Sequence, residues 1–228
     1  MTTKALIIGG GIAGPVTALA LRRAGLAAEI FEAHGHGTDE AGVFLTLARN
    51  GLAALEVLGL RDLVTGLGVD TPRMEIVNGR GKRLAVLDHP SRTLKRAELY
   101  RALRDEAVRC GVPVHYGKRL TDAALTPGGV RAVFADGSTA EGDLLIGADG
   151  LRSRTRTLID PAAPRPRPVG LWNTGGFARG VAEPGEPGTV HLVYGRRCFF
   201  GYLIDPDGGE VWWFANPPAR REPAPEER

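Results

Sequence analysis

The chain has 228 residues, 43% hydrophobic and 24% charged, with a net charge of +3. That length admits one large domain or two small ones, and the balance is that of a globular chain rather than a disordered one. The basic residues are scattered, without the stripe or module of a nucleic-acid binder.

No apolar run approaches the length of a membrane span, and "MTTKALIIGGG" is too short and glycine-broken for a signal sequence. The expectation is a soluble cytoplasmic protein that binds neither nucleic acid nor membrane. Cys110 and Cys198 read as buried thiols in a reducing compartment. The pair His34 and His36 sits in a glycine-rich loop without further ligands, so no metal site is expected.

In chain order, residues 4–9 ("KALIIG") read as a buried strand. Residues 12–24 follow helical spacing through Val16, Leu19, Ala20 and Arg23, with Gly25 as a stop, and 28–31 form a second strand. Strand, helix and strand within about thirty residues make a βαβ unit, which calls for a parallel sheet. An amphipathic helix follows over 50–60. Strands at 74–78 and 83–87 form a hairpin around "GRGK". A clear helix over 96–110 carries Leu99, Leu103, Ala107 and Cys110 on one face.

Strands are expected at 112–116, 119–125 and 130–135, with a turn at Asp136-Gly137, and a buried, central one at 143–147. The proline-rich run "IDPAAPRPRPVG" then reads as an extended linker. Beyond it, strands at 190–194, 198–204 and 210–215 hold most of the aromatic residues. They predict an antiparallel sheet with an aromatic face, one or two of whose rings line a pocket. The tail from residue 217 is proline- and charge-rich and is expected to be disordered.

"GGGIAG" fits G-x-G-x-x-G with Gly9, Gly11 and Gly14, between a strand and a helix. Glu32 ends the second strand, 18 residues after Gly14. In such a unit the first glycine permits a tight turn. The second admits a pyrophosphate close to backbone N–H groups, and the third lets helix pack on strand. The helix N-terminus adds its positive dipole. Glu32 accepts the hydroxyl hydrogens of an adenosine ribose. A dinucleotide is expected on Gly9, Gly11, Ile12, Ala13, Gly14, Glu32 and Ala33, and the motif itself does not choose between NAD and FAD.

Two further stretches make that choice. "DGLRSRTR" matches D-G-x-x-S-x-x-R through Asp149, Gly150, Ser153 and Arg156, and "LKRAELYRAL" matches R-x-x-L-x-x-x-L from Arg96. With "GGGIAG" and Glu32, the chain resembles the FAD-dependent monooxygenases of the aromatic-hydroxylase (para-hydroxybenzoate hydroxylase-like) family along essentially its whole length. The resemblance implies a Rossmann-like α/β FAD-binding domain with a parallel sheet, and a partial antiparallel β substrate domain. It implies tightly bound FAD and transient NAD(P)H. Arg96 would reach the cofactor, the Leu120 backbone would lie near adenine, and Asp149 and Gly150 would turn beside the cofactor. It places the FAD domain at 1–70 and 95–160 and the substrate sheet at 71–94 and 165–216.

The implied activity is hydroxylation of an aromatic or unsaturated small molecule by O2 and NAD(P)H through a flavin hydroperoxide. The family's third motif, of Gly-Asp-Ala-Ala-His type, does not occur. The expectation is a C-terminally truncated chain, with the missing portion on another chain as a partner. An FAD-dependent reductase or dehydrogenase on the same scaffold, and a non-catalytic flavin-binding fragment, are the alternatives. No catalytic acid or base can be named from the residues; His89, His115 and His191 qualify only as histidines.

Overall fold

The structure, a computed structural model, describes residues 2–35, 42–181, 185–206 and 209–219. They fall into two compact units, Met1–Ala41 with Ala97–Pro166, and Gly42–Arg96 with Arg167–Arg228. The last change of unit, between Pro166 and Arg167, falls inside the proline-rich run, where no strand or helix forms between residues 160 and 170. His36 and residues 220–228 of the tail lie outside the described residues.

In the first unit, β1 (Lys4–Ile8), α1 (Ala13–Arg23) and β2 (Ala27–Phe31) form the βαβ unit, with β1 and β2 parallel. β8 (Val114–His115) pairs with β2 and β12 (Leu144–Gly147) with β1, giving the parallel order β12-β1-β2-β8. β8 is shorter than the expected 112–116. Pro113 accepts a bond from the Ile30 amide at 2.9 Å but has no N–H to return. β12 is the edge of this sheet among the described strands, not the buried centre that its apolar run suggested. Leu145 packs on the core, whereas the alternating neighbour Leu144 is 46% exposed.

The antiparallel meander β9 (Leu120–Thr126), β10 (Gly129–Phe134) and β11 (Thr139–Gly142) supplies the other side of the core. Leu6, Ile8 and Phe31 meet Leu120, Val130, Ala132 and Phe134, and the Phe31 and Phe134 rings stack at 4.9 Å. α4 (Arg96–Arg109) buries Leu99, Leu103 and Ala107, the stripe that helical spacing predicts. α5 (Arg154–Ile159) closes on β12, with Thr155 buried.

In the second unit, β3 (Phe44–Ala48), β4 (Val69–Asp70) and β7 (Ser91–Lys95) form a small antiparallel sheet in the order β3-β7-β4. Thr71, Ser91 and Thr93 are buried there; Thr71 bonds the Ser91 hydroxyl at 2.8 Å and the Thr93 hydroxyl at 3.1 Å. The expected helix at 50–60 is α2 (Arg49–Val57), of which only Leu55 is buried, and the short α3 (Arg61–Thr65) follows it. The large sheet has the order β13-β16-β15-β14-β5-β6, built from β5 (Arg73–Asn78), β6 (Arg83–Asp88), β13 (Thr174–Arg179), β14 (Thr189–Tyr194), β15 (Phe199–Ile204) and β16 (Glu210–Asn216). It is antiparallel except where β14 joins β5 in parallel.

The predicted aromatic face forms around Phe44. Its ring lies 5.8 Å from Trp212, 6.1 Å from Phe214 and 6.4 Å from Phe177. Glycine makes room for Phe214: a Cβ on Gly201 of β15 would lie 2.3 Å from its ring. Gly201→Ala should therefore lower stability by about 1–3 kcal/mol through overpacking. Urea unfolding reads this, and adding Phe214→Leu to the same chain should recover most of the loss. A loss of the same size whether or not Phe214 is shortened would place the strain elsewhere.

Candidate functional site

The parallel order puts the C-terminal ends of β12, β1 and β2 side by side, and each runs into one of the sequence motifs. Such strand ends are where open α/β sheets take ligands. At the middle end, Gly9 adopts φ +108°, and a Cβ there would lie 2.4 Å from the Ala148 carbonyl oxygen. Only glycine fits this turn. A Cβ on Gly14 would lie 1.9 Å from the Gly9 carbonyl oxygen, so the third glycine is required for α1 to lie against the loop.

Gly11 differs from both. Its Cβ position meets nothing closer than the Tyr100 hydroxyl at 3.8 Å, so the space above it is clear. Ile12 is the N-cap of α1 and makes no side-chain cap bond, Ala13 is exposed, and the first turn holds no acid. The leading N–H groups of an 11-residue helix are thus left to an anion. Pro15 is buried in the first turn, where its missing N–H costs nothing.

Glu32, at the end of β2, faces this loop. Its Oε2 accepts the Gly10 N–H at 2.7 Å and its Oε1 accepts the His34 N–H at 2.8 Å. Its backbone is held on both sides, N–H to the His115 carbonyl and carbonyl from the Lys118 N–H, each at 2.8 Å. Ala33 follows at the same half-buried rim. A carboxylate offers about four lone pairs and the protein takes two, which leaves one on each oxygen for a pair of hydroxyl groups. His115 is structural: it stacks on Phe31 at 4.8 Å and bonds Glu29 at 3.0 Å. Leu120, buried at the start of β9, belongs to the core beneath this rim.

At the end of β12, Asp149 is bound by the Ser153 hydroxyl at 2.6 Å, the Thr155 N–H at 2.9 Å and the Thr155 hydroxyl at 3.1 Å. Burial pushes its carboxyl up, but these donors outweigh burial and hold it below the ordinary carboxylate value. Gly150 turns the chain at φ +72°. Ser153 also caps α5, accepting the Arg156 N–H at 2.9 Å. Arg156 does not pair with Asp149; it donates to the Leu151 carbonyl at 2.8 Å. Arg154 donates to the Thr121 carbonyl at 2.8 Å.

Arg96 opens α4, and its side chain lies across Gly42, whose Cβ position is 2.8 Å from Arg96 Cδ. It lines a cleft of about 550 Å³ in the second unit with Phe44, Asn173, Phe214 and Asn216. Phe214 fulfils the expectation that a ring of the aromatic sheet lines a pocket.

Sequence reasoning missed three features. Gly10 looks like a spare glycine beside the motif, yet its amide ties the loop to Glu32. Tyr100 lies one helical turn after Arg96 on the same face, a spacing that was there to read. Asn173 and Asn216 are far apart in sequence and carry no motif. Cys110 and Cys198 are free thiols, half-buried rather than buried. Among the described residues no cluster could hold a metal, and no helix is long and apolar enough to cross a membrane.

Residues 2–221 match the family described as FAD binding domain. The FAD-dependent urate hydroxylase of Klebsiella pneumoniae is 30% identical over 227 residues, covering 94% of this chain and 58% of its own length. The aurachin C monooxygenase/isomerase of Stigmatella aurantiaca is 32% identical over 92% of this chain and 56% of its own length. The crystal structure of Klebsiella pneumoniae HpxO complexed with FAD and uric acid superposes with a TM-score of 0.84 at 28% identity, over 97% of this chain and 58% of that one. The chain thus spans a little over half the length of these relatives.

Asp149→Ala leaves three donors without their acceptor and should cost about 1–3 kcal/mol in urea unfolding at pH 7. The folded pKa lies below the unfolded one, so the contribution is complete above the unfolded value and is lost as pH falls through the folded one. The gap between wild type and variant should narrow below about pH 4. A gap that does not change with pH would show that the carboxylate charge is not what stabilises the loop.

Proposed function

The chain belongs to the FAD binding domain family, and on that premise we propose that it is the FAD-binding part of an NAD(P)H-dependent monooxygenase. The observation that carries this is the bond between Glu32 and Gly10, which sets a carboxylate with spare lone pairs beside an uncovered Gly11 and an uncapped helix. Those groups fit the ribose and pyrophosphate of FAD. The names of the urate hydroxylase and aurachin monooxygenase relatives support a hydroxylating reaction on an aromatic or unsaturated small molecule.

In this reading Gly9, Gly11, Ile12, Ala13 and Gly14 hold the pyrophosphate. Glu32 and Ala33 hold the adenosine ribose, and the Leu120 backbone borders adenine. Asp149 and Gly150 form the turn beside the cofactor, and Arg96 extends towards its flavin end. The FAD-binding part takes in residues 1–70 and 95–160, and the sheet of 71–94 and 165–216 takes the substrate against its aromatic face. The cleft lined by Arg96, Phe44 and Phe214 is the substrate's place.

Bound FAD supplies two-electron transfer from NAD(P)H and activation of O2. The protein orients, excludes water and holds charge. The balance is substrate, O2, NAD(P)H and a proton giving hydroxylated substrate, water and NAD(P)+. NAD(P)H visits transiently, and the small-molecule substrate is the partner this reading requires.

The test is incorporation of label from 18O2. One labelled oxygen in the product, with NAD(P)H oxidation that stops without O2, is the expected result. NAD(P)H oxidation that continues without O2 would replace this reading with that of a reductase.

At the cofactor, Glu32→Ala should weaken FAD binding by about 1.5–3 kcal/mol, because it removes charge-assisted bonds to the ribose and frees the Gly10 amide. Fluorescence titration of the apoprotein measures it, and an unchanged affinity would remove Glu32 from the site. Gly11→Val should fold, given the clearance above that residue, and yet purify without flavin. A yellow variant would mean that the pyrophosphate lies elsewhere.

A further inference from the structure

A backbone carbonyl only accepts hydrogen bonds, and this fixes the orientation of a side chain that faces one. Asn216 Nδ2 lies 3.2 Å from the Trp172 carbonyl oxygen, so the side of Asn216 that faces Trp172 is its NH2. The same nitrogen lies 3.2 Å from Asn173 Oδ1, so Asn173 must turn its oxygen inwards. Both NH2 hydrogens of Asn216 are then used. What the pair has left to offer is a wholly free acceptor, Asn216 Oδ1, the second lone pair of Asn173 Oδ1, and one donor group, Asn173 Nδ2. Among the described residues neither Asn216 Oδ1 nor Asn173 Nδ2 has a protein partner. Both residues line the same cleft as the Phe44 and Phe214 rings, whose centroids are 6.1 Å apart.

The frame under the pair is fixed. Trp172 N–H donates to the Pro217 carbonyl at 2.9 Å and Ala219 N–H to the Gly170 carbonyl at 2.8 Å, so the segments before β13 and after β16 are tied on either side of the two amides. A preorganised donor beside a preorganised acceptor rejects ligands that cannot match both, because each mismatch leaves a desolvated polar group unpaired. A carboxylate brings two acceptors and meets Asn216 Oδ1 with the wrong sign. A hydrocarbon edge satisfies neither atom. A ring N–H beside a ring C=O satisfies both, and the Phe44 and Phe214 rings, packed edge to face in the lining of the cleft, offer apolar aromatic surface to the ring that carries it.

We propose that Asn173 and Asn216 select a planar substrate with a cis-amide edge, a lactam or ureide ring, with Asn216 Oδ1 taking the N–H and Asn173 Nδ2 giving to the C=O. This rests on reading the cleft as the substrate's place.

The probes are 2-quinolone and coumarin, which share a shape but differ in having N–H or O beside the carbonyl. Isothermal titration calorimetry on the FAD-loaded protein should show 2-quinolone binding about tenfold more tightly or better. Asn216→Leu should bring the two ligands to within about twofold of each other, since the acceptor that discriminates is gone. Asn173→Leu, a change at an exposed side chain, should weaken both ligands and keep their ratio, because both present the same C=O. Flavin content and circular dichroism check the fold of each variant.

Equal affinity for the two ligands, no binding of either to flavin-loaded protein, or a ratio indifferent to Asn216→Leu would overturn the proposal. If the protein takes up no FAD, the same titrations are run on the apoprotein. A ratio that survives there, and that Asn216→Leu abolishes, sinks the monooxygenase reading and leaves the lactam site standing.

Discussion

The hydrogen bond from the Gly10 N–H to Glu32 joins two adjacent strand ends, and the site is organised around it. β1 ends in a loop of glycines that has no side chains of its own to hold its shape. Glu32, fixed by backbone bonds at the end of β2, supplies the missing restraint from one side. Ala148 and Asp149 supply it from the other, where the Ala148 carbonyl crowds Gly9 so closely that no Cβ would fit. The glycines therefore serve opposite purposes: Gly9 and Gly14 are full of protein, and Gly11 is kept clear of it.

The second unit meets a different constraint, that of packing large rings in a sheet. Gly201 vacates the space that the Phe214 ring fills, and Phe44 enters from the small sheet to meet Trp212, Phe177 and Phe214. Lys95 lies 4.9 Å from the centre of the Phe177 ring and 3.4 Å from Glu210. Arg179 and then Lys95 hold the Glu210 carboxyl below its ordinary value against the opposing effect of burial. One edge of this aromatic cluster is left open, and the carboxamides of Asn173 and Asn216 stand there.

The sequence was legible where backbone geometry admits one kind of residue. G-x-G-x-x-G between a strand and a helix, an acid at the end of the next strand, and D-G-x-x-S before a short helix each state a physical need. It was less legible where partners are distant. β3 and β7 went unread because their pairing spans more than forty residues and because Thr71, Ser91 and Thr93 look like surface residues until their hydroxyls are seen to satisfy one another. The apolar run at β12 read as buried and central, although the strand lies at the sheet edge among the described strands and leaves Leu144 46% exposed while Leu145 packs on the core. Arg154 and Arg156 donate to the main-chain carbonyls of Thr121 and Leu151 and brace the loop after Asp149, contacts to backbone atoms that no residue pattern announces.

The central claim is that the Gly9–Gly14 loop and Glu32 hold the adenosine diphosphate half of FAD. Competition against bound FAD, followed by flavin fluorescence, tests this most directly. ADP should displace FAD, because it carries the ribose and pyrophosphate that those residues are placed to bind, and FMN, which lacks the adenosine, should not. Displacement by FMN with no effect of ADP would contradict the account.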